Sequence, residues 1–99
     1  MTLRSIRIVL LTETMDNTYD TFLIDASNGD ITFTLSNIAN NGENYMIKRI
    51  DNTGNIVTIQ GFDSSQTILG QTSITLNPFN IVNILSYNSI CLLNNILML

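Results

Sequence analysis

The dominant period in this chain is two. In Asp30-Ile31-Thr32-Phe33-Thr34-Leu35-Ser36 the apolar Ile31, Phe33 and Leu35 alternate with Thr32 and Thr34, the pattern of a half-buried β-strand. Ser73-Ile74-Thr75-Leu76 repeats it, and Asn55-Ile56-Val57-Thr58-Ile59 resembles it with apolar residues on both faces at its start. Further strands are expected within Leu3–Leu11, Tyr19–Asp25, Tyr45–Asp51, Asn80–Ser86 and Ile90–Leu93, all rich in Ile, Thr, Val, Phe or Tyr. Turn signals separate them. Asn28-Gly29 is a strong hairpin signal, Asn40-Asn41-Gly42 another, and Asp51–Asn55 a connection with a glycine for positive φ. Gly70 breaks the next run, and Asn77-Pro78 ends the strand before it because proline has no N–H for a ladder.

Helical spacing is absent before residue 80. Ile90, Leu93 and Leu97 could form one helical stripe, but Ile, Cys and the Asn94-Asn95 pair favour a strand. The expected fold is therefore all-β: a small antiparallel sandwich or barrel of about seven to nine short strands. At 99 residues one domain, 1–99, is expected. The Ile-Thr texture shared by Asp30–Asn37 and Thr72–Asn77 is too weak to mark a repeat.

Composition narrows the chemistry. Charged residues are only 12% of the chain, while Asn, Thr and Ser number 34. Polarity is carried by neutral hydrogen-bonding groups. There is no His and no Trp, so the commonest general base and metal ligand are missing. The expectation is no enzyme activity, no cofactor and no metal. The net charge of −4 comes from eight acids against Arg4, Arg7, Lys48 and Arg49, a poor match for nucleic acid. The lone Cys91 sits in an apolar run and reads as a small hydrophobe. The four-residue run Ile8–Leu11 is too short for a signal peptide, and no segment reaches the ~20 residues of a membrane span.

The order of elements from Tyr19 to Ile90 carries a resemblance. Asn28-Gly29-Asp30-Ile31-Thr32-Phe33-Thr34-Leu35 is followed by Asn40-Asn41-Gly42 and Tyr45-Met46-Ile47-Lys48-Arg49. Then come Gly54-Asn55-Ile56-Val57-Thr58-Ile59 and Ile68-Leu69-Gly70-Gln71-Thr72-Ser73-Ile74-Thr75-Leu76. This resembles a small β-module at the ends of phage tail fibres and of fibre-like or collagen-like proteins of large DNA viruses. On that likeness residues 19–90 form the module, 1–18 an extra N-terminal strand, and 91–99 an apolar C-terminal strand or tail. Family members commonly end in a Trp-Tyr pair, where this chain reads Ser89-Ile90-Cys91-Leu92. The resemblance implies a virion protein, assembled in the host cytoplasm. It also implies a homo-oligomer, with a trimer favoured, and contacts to other capsid or fibre proteins. The alternative it leaves open is a receptor-binding head for host surface glycans.

Several residues are candidates for such contacts. Phe62 and Phe79 lie beside turns and either plug the ends of the fold or anchor an interface. Phe62 and Tyr87 are the aromatic residues a glycan platform would use. The tail Ile96-Leu97-Met98-Leu99 is unusually apolar for a chain end, and either completes the core or buries against a partner. Lys48 and Arg49 would face opposite sides of a strand, with one of them paired to an acid such as Asp51. Asp51–Asn55 lacks the carboxylates of a calcium loop and reads as a turn. Asp16, Asp20, Asp25 and Asp30 read as turn and cap acids rather than a glycosidase pair.

Overall fold

A computed structural model describes residues 5–16, 18–36, 44–62, 67–68, 71–87 and 90–97, with the backbone alone described from residue 85 onward. These residues are all-β and hold ten strands. They are β1 (Ile6–Val9), β2 (Glu13–Thr14), β3 (Thr21–Ile24), β4 (Ile31–Thr34), β5 (Asn44–Arg49), β6 (Val57–Gln60), β7 (Thr67–Ile68), β8 (Ser73–Thr75), β9 (Ile81–Tyr87) and β10 (Ile90–Leu97). One sheet has the order β1-β3-β5-β9-β10-β7 and the other β2-β4-β6-β8.

The first six strands alternate between the two sheets, and each runs parallel to the strand two before it. This makes three stacked coils of a short two-sided solenoid: β1–β2, β3–β4 and β5–β6. The last strands reverse the direction. β8 lies antiparallel to β6, and β9 antiparallel to β5, closing the third coil.

The expectation of antiparallel sheets is thus corrected to mixed ones. Alternation reveals which face of a strand is buried, but it carries no sign of strand polarity. The Asn28-Gly29 signal does not make a hairpin. It belongs to a turn, in which the Gly29 N–H donates to the Ala26 oxygen at 3.2 Å. The turn joins β3 and β4, which lie in different sheets, so it forms an arch and not a hairpin. Six residues separate Ile24 from Ile31, and Phe22 and Ile24 on one side face Ile31 and Phe33 on the other. Both inward faces are apolar, so packing across the core displaces edge-to-edge pairing.

The core fills the space between the sheets. Inward positions stack in register: Phe22 beside Ile47 and Val82 in one sheet, Phe33 beside Ile59 and Ile74 in the other. The Phe22 and Phe33 rings meet across the core with centroids 5.0 Å apart and planes tilted by 52°. In the first coil the same two positions hold Arg7 and Glu13. The Arg7 Nε donates to a Glu13 carboxylate oxygen at 2.7 Å, and its guanidinium carbon lies 5.9 Å from the centre of the Tyr19 ring. An ion pair therefore stands at the open end of the stack where the next coil has an aromatic pair.

Candidate functional site

The most elaborate polar site lies where the third coil turns. On β5, Tyr45 and Ile47 point inward, and Arg49 continues the same face. In register it occupies the place held by Val9 in the first coil and Ile24 in the second. Arg49 is 2% exposed, and each of its three guanidinium nitrogens has a partner. Its Nε and Nη2 donate to the two oxygens of Asp51 at 3.0 and 3.1 Å. Nη1 donates to the Leu76 carbonyl at 3.0 Å, and Nη2 also to the carbonyls of Thr53 and Asn55 at 3.2 and 2.7 Å.

Asp51 is equally committed. Its Oδ1 accepts from the Ala26 N–H at 2.9 Å, and Oδ2 accepts from the Thr53 N–H and hydroxyl at 3.1 and 2.6 Å. Asn55 Nδ2 donates to the Ala26 oxygen at 2.6 Å. The Arg49 hydrogen bonds, helped by those of Thr53 and Ala26, hold the Asp51 carboxyl well below the usual carboxylate range against the opposing effect of burial. This cluster sews together the second coil at Ala26, the third at residues 49–55, and the end of β8 at Leu76. Its groups satisfy one another, so its chemistry is that of a structural clamp.

Lys48, the other half of the basic pair, is on the outer face and partly exposed. The expectation that the two face opposite sides, with one of them paired to an acid such as Asp51, holds, and the paired residue is Arg49. Asp51–Asn55 lies in the connection between β5 and β6 as expected, but its glycine, Gly54, has no positive φ. The missed feature was the clamp itself. Arg49, Asp51, Thr53 and Asn55 follow Tyr45 and Ile47 at a spacing of two, and that polar continuation of an apolar face was the available signal.

The two outer faces differ. On the smaller sheet the outward positions are Thr32, Thr58 and Thr75 in one row and Thr14, Thr34, Gln60 and Ser73 in the next. Gln60 Nε2 donates to the Thr34 hydroxyl at 2.8 Å. On the larger sheet one row holds Ile8, Leu23, Lys48 and Ile81, and another holds Ile6, Thr21, Met46 and Asn83. One surface is a neutral hydrogen-bonding ladder, the other largely apolar. Both Ile6 and Ile8 are more than half exposed.

The aromatic candidates are dispersed. Phe62 follows β6 and Phe79 follows β8, and both are exposed. Because β6 and β8 are antiparallel, these residues lie at opposite ends of the pair and share no platform. Phe79 has φ 62°, an unusual conformation for a bulky residue. It follows Pro78 in a turn closed by the Asn80 N–H donating to the Asn77 oxygen at 3.1 Å. A glycine normally takes that third position in a type II turn.

Tyr87 is the last residue of β9 and stands opposite Ile90. Ile96 and Leu97 belong to β10, opposite Val82 and Ile81, so the segment is a strand as expected. Met98 and Leu99 lie outside the described residues, as do the side chains of Tyr87, Cys91, Ile96 and Leu97. Two of the four aspartates act locally and two bind across coils. Asp16 and Asp25 accept from Thr18 and Ser27 two residues on, Asp20 accepts from the Ser5 N–H, and Asp30 accepts from the Ile56 N–H. Among the described residues no three of Cys, Asp and Glu converge as a metal site, and no helix is long and apolar enough to cross a membrane.

Compared with known proteins, the chain matches no family model, no curated protein and no solved structure.

Proposed function

We propose that this chain is a non-enzymatic structural protein of a virion, a capsid- or fibre-associated module that assembles by burying apolar strand faces. The observation that carries the reading is the contrast between the two sheets. The smaller sheet turns Thr, Gln and Ser outward, whereas the larger turns out Ile6, Ile8, Leu23, Met46 and Ile81. Apolar surface of that kind, interrupted in its rows by Lys48, Thr21 and Asn83, marks a face that is covered in use. Few charges border it, so contacts there need little ion desolvation. The phage-fibre and large-virus resemblance supplies the setting and favours a trimer.

Light scattering on a sizing column tests the assembly. A species near three times the 11.0 kDa chain is expected, and a monomer at every concentration would overturn it. Detection of the chain in purified virus particles, or its absence from them, tests the setting.

The alternative is a glycan-binding head, and Phe79 speaks for it. A bulky residue held at positive φ costs about 1–3 kcal/mol, and such strain clusters at functional sites. Glycan-array binding that disappears in Phe79→Ala would favour this reading. Absence of binding to any glycan would remove it.

A further inference from the structure

We infer that the free edge of β1 is a self-pairing surface that joins two copies of this chain about a two-fold axis at Ile8. The virion setting is not needed for this. β1 is the last strand of the larger sheet, and among the described residues it has one strand neighbour, β3. The Ser5 and Val9 carbonyls accept from β3 and from the residue after it. By the alternation of a ladder, the N–H and C=O groups of Ile6 and Ile8 point away from β3, toward the free edge.

Edge strands are normally blunted by lysine, proline or a bulge. β1 has none of these, and its four residues pair with β3 in unbroken register. An inward charge is another such device, but the Arg7 charge is already met by Glu13. The exposed side chains are Ile6 at 56%, Ile8 at 57%, Leu10 at 48% and Leu11 at 70%.

The self-match fixes the register. Two copies of one edge strand related by a two-fold axis normal to the sheet pair antiparallel, and residues on the same face must meet. Centring on Ile8 sets Ile8 against Ile8, and Ile6 against Leu10, on the outer face. All three pairs then exchange backbone hydrogen bonds. Arg7 meets Val9 on the inner face. Centring on Arg7 would set two guanidinium groups opposite each other, which is unfavourable, and would leave Leu10 unmatched. Ile6, Ile8 and Leu10 are each about half exposed, so a pair buries an area at the low, transient end of protein interfaces. A weak, concentration-dependent contact follows. It yields a dimer from monomers and a hexamer from trimers.

Cross-linking tests it in the full chain with Cys91→Ala removing the native thiol. Directly opposed residues of a hydrogen-bonded antiparallel pair have Cα atoms about 5.5 Å apart, within disulfide range. Under oxidised glutathione, Ile8→Cys is expected to form a covalent dimer at least about fivefold faster than Leu11→Cys, which is more exposed but off the axis. In light scattering, Ile8→Lys in the unmodified chain should weaken the association about tenfold or more. Equal cross-linking rates at the two positions would overturn the contact. So would an Ile8→Lys chain whose mass follows the wild-type concentration curve. A trimer that is insensitive to both changes would leave the assembly proposed above intact and remove this contact alone.

Discussion

Replacing Arg49 by methionine removes the centre of the clamp while keeping a long apolar stem in the core. The loss has two parts. Asp51 remains buried without its counter-charge, and the carbonyls of Leu76, Thr53 and Asn55 lose a donor. Removing one partner of a buried ion pair costs about 3–5 kcal/mol. A domain of this size has about 5–15 kcal/mol in total, so the change consumes a large share of it. Urea unfolding at pH 7, followed by far-UV circular dichroism, reads the loss. With a slope of about 1–1.5 kcal/mol/M the midpoint falls by roughly 2–5 M. Arg49→Lys keeps the charge but not the planar fork, and should lose about half as much. The gap between wild type and Arg49→Met should narrow at pH 3, where protonation of the buried Asp51 relieves the variant, while in the wild type the unfolded chain takes up the proton and erodes the contribution of the depressed carboxyl. A loss below about 1 kcal/mol at pH 7, or an equal gap at both pH values, would refute the clamp.

Other expectations follow from single features. Gly29 has φ +142°, with open space where a Cβ would lie, so Gly29→Ala should cost about 1–3 kcal/mol from backbone strain alone. Gly54 also has open space and no positive φ, so Gly54→Ala should raise the thermal midpoint slightly, and a fall there would contradict the assignment. Phe33→Ala removes one ring of the pair that joins the sheets and should cost about 3–5 kcal/mol by urea unfolding. Stability should be flat between pH 5 and 8, since the chain has no histidine. The Asp51 carboxyl is held below its unfolded value, so its contribution is complete above about pH 4 and is lost as pH falls from there toward the depressed value. An acid limb that is unchanged in Asp51→Asn would show that another group carries it.

Much of the local structure was legible because alternation is a local property. Ile31, Phe33, Val57 and Ile59 are inward as their spacing of two implies, and Pro78 marks the end of β8. Strand direction was not legible, because a parallel and an antiparallel neighbour ask for the same alternation. The Asn28-Gly29 turn is compatible with a hairpin or an arch, and the choice rests on whether Ile24 and Ile31 pair at an edge or pack across a core. That is a long-range property of both sheets. The clamp was half legible: the Arg49–Asp51 pair could be expected from proximity, but its burial depends on Ala26 and Leu76, which are distant in sequence. The exposed edge of β1 was hidden for the same reason, since a strand becomes an edge only when all its neighbours are placed.

The reversal of β8 and β9 against the third coil ends the run of parallel coils on one side, and the Arg7–Glu13 pair lies in the first coil on the other. Between them the parallel coils are layers, each about 4.8 Å thick. Length in such a protein is therefore quantised. It changes by whole layers, inserted or deleted between fixed terminators, and the terminators need not change when it does. A chain with a duplicated middle layer would be a longer rod with the same two ends, and a gauge of how much of its stability is additive.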